Sequence, residues 1–357
     1  MFPISASDIT NMTITIDGTI KASKRHHRYP TRTNKSGKVK IEDFFKFKEV
    51  HDFTIRGSGT VDGQGYMWWV REYIGRNTHG RPSLVLLDGG TNLEFTGVRW
   101  INSPYYHLDI QDFDGAYFHD FEIYVDAYGQ LELDKLLLGD NDLMNGLGGR
   151  TFPMYALNTD GIDPRGKNAL IERVNITNYD DAVAIKEMTG QGKYATCSEN
   201  IIVRDCNIWF GVGMTIGTIL PKDDFSCVRN VQFLNHKFYH PFKAVYIKNN
   251  PGETESMLPG SGGIVSNILY DNLEVHRPLW FPIYIGPQQQ HQPGKKGGEA
   301  GPGCLLYPLT PCETNSLIEF KDITLRNIQV YDAIFPPGVI RCNETIPCTG
   351  FVFQNVK

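Results

Sequence analysis

The chain contains no apolar run near the ~20 residues needed to cross a bilayer as a helix, so no helical membrane span is expected in it. Positive charge is not in excess either: 35 Lys+Arg face 40 Asp+Glu, a net charge of -5. General nucleic-acid binding wants a basic surface, so that class is set aside. No stretch keeps a 3.6-residue apolar period over about 12 residues, except within Leu131–Leu143, so little helix is expected. A signal peptide is also missing from view. Met1-Phe-Pro-Ile runs almost directly into the strand-like Thr13-Ile-Thr-Ile-Asp17, and the chain reads as a trimmed or mature form.

What is present is a chain of 357 residues, 41% hydrophobic, with 36 Gly and 20 Pro. That composition supports a large core and disfavours long helices. Seven cysteines leave an odd one, and four are clustered, Cys304 with Cys312 and Cys342 with Cys348. Four sequons, at Asn11, Asn34, Asn175 and Asn343, mark possible glycosylation. Together these features predict a secreted, oxidised protein.

The chain repeats itself. Units begin at Asn92-Leu-Glu-Phe, Asn168-Ala-Leu-Ile, Asn200-Ile-Ile-Val, Asn230-Val-Gln-Phe, Asn267-Ile-Leu-Tyr and Asp322-Ile-Thr-Leu, with a degenerate copy at Gly115-Ala-Tyr-Phe. In most units a second apolar strand ends 16 to 18 residues later, at Ile110, Ile185, Ile216, Ile247, Ile285 and Ile340. The starts themselves lie 23 to 55 residues apart. A constant coil with loops of variable length on one side accounts for both facts. The strands are short, β-branched and bounded by Asn, Asp and Gly. The prediction is all-β, a single-domain right-handed parallel β-helix over 1–357, with coils about 4.8 Å apart. A sandwich lacks such a repeat, and a propeller keeps a more constant period. The leading Asn residues should stack as a ladder at one turn.

Register then predicts cross-links. Cys197 precedes Asn200 by three residues, and Cys227 precedes Asn230 by three. Equivalent positions in successive coils lie within disulfide reach. The expected pairs are Cys197–Cys227, Cys304–Cys312 and Cys342–Cys348, with Cys206 left as a buried thiol.

The acidic residues converge under the same register. Asn158-Thr-Asp160-Gly-Ile-Asp163 and Tyr179-Asp180-Asp181 lie about one coil apart, which sets Asp160 beside the Asp180/Asp181 pair. Three carboxylates at one place repel, and at least one pKa must rise. A raised acid beside an ionised partner suits glycoside hydrolysis; an Asp ladder in turns would look the same by spacing alone.

These motifs resemble glycoside hydrolase family 28, the polygalacturonase- and rhamnogalacturonase-like pectinases, from about residue 10 to 350. Asn158-Thr-Asp160-Gly-Ile-Asp and Asp180-Asp181 are similar to its acidic signature. Tyr246-Ile-Lys248 stands at its Arg-Ile-Lys, and Gly211-Val-Gly213 at its Gly-His-Gly. Gly57–Gly65 with Trp68-Trp69, Arg81-Pro82 and Asn102-Ser-Pro104 with Tyr105-Tyr106-His107 also fit. The resemblance implies a pectin-lyase-like solenoid that inverts a pectic glycosidic bond without metal or organic cofactor. Asp180 would be the general acid, and Asp160 and Asp181 would activate water, with carboxyl separations of roughly 6.5–9.5 Å. Lys248 would bind a sugar carboxylate, and Asn158 would orient Asp160 or a hydroxyl.

The departures are specific. Val212 replaces the family histidine and Tyr246 the carboxylate-gripping arginine, and a lysine is not a bidentate clamp. Lys186 resembles the Ile-Lys of plant-type and exo-acting relatives. The acids therefore point to a hydrolase, and the binding residues point away from plain polygalacturonan. Tyr106 and His107 are candidate sugar contacts. An insertion at about 127–155 could close one end of the cleft, and the loop at about 286–312 could form a wall. The substrate class is an acidic cell-wall polysaccharide of plant type, taken by a monomer. The alternatives are a non-catalytic carbohydrate binder and, less favoured, a polysaccharide lyase.

Other patterns carry less. The basic run Lys24–Arg28, with Arg32, Lys35, Lys38 and Lys40, reads as a solvated loop. Trp68 and Trp69 read as structural. His236 and His240 need not share a face in a strand. Asp140–Asn145 lacks a calcium loop's terminal Glu. The glycines at 57–65 are no dinucleotide fingerprint, since no helix or βαβ unit is expected after them.

Overall fold

The computed structural model describes residues 1, 3–33, 37–127, 156–188, 197–221, 225–250, 262–289, 304 and 307–357. Within them, 21 strands join in one continuous ladder, and its pairings are parallel. Long strands stack in chain order: Ile4–Thr15, Phe45–Arg56, Val85–Thr96, Leu108–His119, Ile162–Glu172, Ser198–Arg204, Ser226–Tyr239, Gly263–His276 and Ile318–Tyr331. Parallel neighbours consecutive in sequence require a full turn of chain between them. Right-handed crossover is the form such connections take. The molecule is a right-handed parallel β-helix.

Alternation makes the coil. In Gly263–His276 every second residue around the bends is buried, and the inward residues of each coil stack on those of the next. Val50, Phe53, Phe95, Phe118, Ile171, Val203, Phe233, Tyr270 and Leu325 lie in one interior column system, each at most 1% exposed. The strand ends Ile185, Ile216, Ile247, Ile285 and Ile340 are register partners, coil upon coil.

The leading Asn residues sit at a bend with positive φ, for example 57° at Asn168, 58° at Asn200 and 54° at Asn230. Asn tolerates that conformation better than most side chains. Each amide donates to the coil before it: Asn200 to Asn168 at 3.1 Å, Asn230 to Asn200 at 3.2 Å and Asn267 to Asn230 at 2.8 Å. At the degenerate copy the column is occupied by Gly115, and Asn168 reaches Asp114 at 2.7 Å. A second ladder, unforeseen, runs through Asp205, Asn235 and Asn272.

Three disulfides are present, Cys197–Cys227, Cys304–Cys312 and Cys342–Cys348. The first joins adjacent coils with Cα atoms 4.5 Å apart. Cys206 is free and buried, and burial pushes its thiol up to about 12.

One expectation fails. A helix, Tyr66–Tyr73, follows directly on the glycine segment. Its eight residues are too short to register as a period. It is held by its aromatic side: Trp69 is buried and its Nε1–H donates to Ser103 O at 2.9 Å, while Trp68 packs edge-on against Tyr29. The next strand pair is not part of a βαβ nucleotide unit, so the dinucleotide reading stays excluded.

His26–Arg28 form a single 3-10 turn in the largely exposed basic segment. Asn11 and Asn175 are exposed, and Asn343 donates to the Thr314 hydroxyl at 2.9 Å. Asn34, Lys35, the segment 128–155, Leu131–Leu143, Asp140–Asn145 and most of 290–306 lie outside the described residues. Among the described residues no helix is long and apolar enough to cross a membrane.

Candidate active site

One sheet of the coil carries the chemistry. Leu108, Ile162, Val183, Met214, Val245 and Ile283 are successive register partners that point inward. Two residues before them stand Tyr106, Asp160, Asp181, Val212, Lys243 and Phe281, which therefore form a second file on the turn preceding each strand. Backbone bonds fix this alignment, with Gly161 N–H donating to Asp181 O and Ala182 N–H to Gly213 O, both at 2.9 Å. Glycine is required at 161, because a Cβ there would lie 2.3 Å from Ala182 O.

Asp160, Asp180 and Asp181 are all buried. Each offers a carboxylate oxygen, and these oxygens lie within 4.8 Å of one another. The scaffold brings Asp160 to the other two, since residues on neighbouring coils start only one strand spacing apart, about 4.8 Å. Such a group could also collect a cation, but two lysines supply countercharge instead. Lys248 Nζ donates to Asp181 Oδ2 at 2.7 Å, and Lys186 Nζ pairs with Asp163 and lies 3.8 Å from Asp160 Oδ2.

Each acid has its own surroundings. Asp181 Oδ1 accepts from the Thr215 hydroxyl at 2.7 Å. Asp180 accepts from the N–H groups of Asn158 at 2.8 Å and Asp181 at 2.9 Å. Burial raises the Asp180 pKa, the neighbouring Asp181 charge adds to this, and Lys248 opposes it. Burial lifts Asp160 well above the carboxylate range, and Asp163 and Asp180 push the same way. Its Oδ1 has no hydrogen-bond partner among the described residues. Asp163 is raised to about 6 by burial, with Lys186 opposing.

The other candidates divide. Asn158 sits at positive φ, 61°, and reaches Asp180 by its backbone N–H, while its Oδ1 accepts from Arg81 at 2.8 Å. Tyr106 stacks on Tyr105 with centroids 3.9 Å apart, beside Asp160 in the file, and Lys186 Nζ lies 4.5 Å from its ring centre. His107 does not face the cleft. It is fully buried, its Nδ1 lies 2.9 Å from Asp160 O, and its Nε2 accepts from Ser103 N–H. Burial lowers its pKa to about 4, so it is a neutral brace under Asp160 and not a sugar platform. Its place directly before an inward strand explains this.

Tyr246 is also fully buried, and its hydroxyl accepts from Gln289 N–H at 2.9 Å. With Val212 and Tyr284 it makes a small apolar cluster next to the acids. Lys248, which the resemblance gives a sugar carboxylate, pairs with Asp181, and Lys186 pairs with Asp163. His236 is interior and accepts from Cys206 N–H, apart from His240. Sequence reasoning missed Thr215 and Lys243, and matched Arg81 without seeing its task. Arg81 binds Leu157 O at 2.9 Å and Asn158, and so holds the loop that carries Asp160.

The family model described as Glycosyl hydrolases family 28 matches residues 3–357. The chain belongs to that family. A polygalacturonase of Juniperus ashei is 25% identical over 350 residues, covering 96% of this chain and 55% of its own length. A putative galacturan 1,4-alpha-galacturonidase A of Aspergillus niger is 25% identical over 340 residues, covering 86% of this chain and 67% of its own. The chain spans about half the length of the polygalacturonases of Juniperus ashei and Cryptomeria japonica. Among solved structures, an endo-xylogalacturonan hydrolase from Aspergillus tubingensis superposes with a TM-score of 0.64 at 18% identity, over 99% of this chain and 83% of that one. Polygalacturonase from Erwinia carotovora superposes with a TM-score of 0.60 at 21% identity, over 96% and 86%. These likenesses concern the fold.

Proposed function

We propose that this family 28 member hydrolyses a glycosidic bond in the backbone of an acidic pectic polysaccharide, outside the cell, as a monomeric single β-helix. The observation that carries the reading is the convergence of Asp160, Asp180 and Asp181 from adjacent coils, with a lysine beside Asp160 and another on Asp181. Disulfides between and within coils suit an oxidising compartment. Mutual repulsion and burial keep a proton in the cluster, held most strongly by Asp160 in the free protein; the proposal places it on Asp180, at the family's general-acid position, once substrate is bound, and Asp180 donates it to the leaving oxygen. Asp181, held by Thr215 and Lys248, acts as a carboxylate. The unpartnered Oδ1 of Asp160 is the place for the attacking water. Water attack from the face opposite the leaving group gives inversion.

Leaving-group chemistry tests the assignment. On a polygalacturonan, rhamnogalacturonan and xylogalacturonan panel, Asp180→Asn and Asp160→Asn should each lose about a thousandfold or more of the wild-type rate while staying folded. An activated aryl glycoside should restore Asp180→Asn and not Asp160→Asn, since only the acid becomes dispensable. NMR of the first product should show the inverted anomer. Undiminished turnover by Asp180→Asn, or a retained anomer, sinks the mechanism.

A further inference from the structure

Three lysines are buried at the site, and two are engaged. Lys186 pairs with Asp163 beside Asp160, and Lys248 pairs with Asp181. Lys243 differs. It is fully buried, and its amine has no hydrogen-bond partner among the described residues. It is surrounded by the rings of Phe242, Tyr246 and Tyr284, whose centroids lie 4.6, 4.4 and 5.9 Å from Nζ. Ring faces attract a cation but satisfy none of an ammonium's three donors as an anionic oxygen does.

Its place in the fold points the amine at the site. Lys243 stands two residues before Val245, in file with Tyr106, Asp160, Asp181 and Val212. It is two coils from Asp181, roughly 10 Å along the axis by strand spacing. The acids are almost as deeply buried, so a substrate that reaches them passes the same cover. The charged and titratable groups around Lys243 are Lys248, Asp180, Asp181, Tyr246 and Tyr284. Burial brings its pKa down to about 7, the Lys248 charge lowers it too, and Asp181 and Asp180 oppose.

We propose that Lys243 is a specificity-determining residue that receives the free carboxylate of a uronic acid unit next to the bond being cut. The inference rests on the pectinase reading of the site. A sugar hydroxyl could fill one donor position, but only an anion offsets a buried ammonium. A methyl-esterified uronate has lost that charge, so Lys243 would sort the free acid from the ester.

Calorimetry with trigalacturonate and its methyl ester tests this on protein carrying Asp180→Asn, which leaves the ligand intact. The acid should bind about tenfold or more tighter than the ester, and Lys243→Met should erase that preference while ester affinity changes about twofold or less. On unmodified wild type, inhibition by galacturonate should weaken severalfold from about pH 6 to about pH 8, because only the protonated amine binds and its charge is lost as pH rises through about 7. That measurement stands even if Lys243→Met does not fold. Retained acid preference in Lys243→Met, or inhibition flat across that pH range, overturns the assignment of Lys243 alone. Binding of neither trimer by the Asp180→Asn protein overturns the uronate reading of the site itself.

Discussion

Lys186 is the residue through which two buried carboxylates stay chargeable. It pairs with Asp163 and stands 3.8 Å from Asp160, and its own pKa is raised in return, above all by Asp163 and then by Asp160. Replacing it with methionine keeps the stem and removes the charge. Both acids then rise further, since the Lys186 ammonium opposes the rise of each, joined at Asp163 by Arg165. If Asp160 must be ionised to activate water, less of it is ionised at any acidic pH. The acidic limb of the kcat/KM profile in Lys186→Met should therefore move up by about one pH unit. An unmoved limb would show that Asp160 and Lys186 are not coupled in catalysis. At this scale the acids were legible in the sequence, because two motifs one coil apart must meet. The roles of His107, Thr215 and Lys243 were not. Each depends on whether a side chain faces the core or the cleft, and for His107 and Lys243 that is decided by the turn before the strand, where the repeat is weakest, while Thr215 lies in a strand buried at nearly every position, where alternation gives no sign.

At the scale of the element, the bend and the cross-link carry the coil. Asn230 holds φ at 54°, donates to Asn200 and accepts from Asn267. Asn230→Ala loses both bonds and places a Cβ residue with no compensating amide in the left-handed region. It should cost about 2 kcal/mol, and Asn230→Gly about half of that, because glycine takes this φ freely. Equal losses in denaturant unfolding would mean that backbone strain is negligible here. The Cys197–Cys227 bridge closes a separation of 30 residues. Removing it as Cys197→Ser/Cys227→Ser should lower stability by about 3.6 kcal/mol in the chain-entropy account, measured against the oxidised wild type. The same Asn spacing that announced the repeat also located this bridge, because both half-cystines stand three residues before a ladder Asn. The helix Tyr66–Tyr73 escaped notice for the opposite reason. It belongs to no repeat, is shorter than a usable period, and is held by packing of Trp69 and not by an extended apolar stripe.

For the whole molecule, the buried titratable groups set opposing pH dependences of stability. His107 and His236 are both held neutral, with burial lowering each to about 4. An unfolded chain takes up a proton at each near 6.5, so their contribution is intact above that pH and is lost as pH falls toward 4. Asp163, raised to about 6, works the other way: the folded state keeps a proton that the unfolded chain releases, so stability rises as pH falls from about 6 toward 4. A net acid profile would mix these, but a difference between variants separates them. His236 is interior, with Nδ1 accepting from Cys206 N–H at 3.3 Å, and the acid that acts on it is Asp205, a weaker influence than burial. His236→Gln should be less stable than wild type at about pH 7, where the packing loss stands alone. The gap should shrink by roughly 1–3 kcal/mol at about pH 4.5, since only the wild type is penalised there for keeping an imidazole unprotonated. Urea unfolding of both proteins at the two pH values measures it. A gap constant with pH would mean that His236 takes up its proton in the folded coil, and that the β-helix interior is more open to water there than its packing indicates.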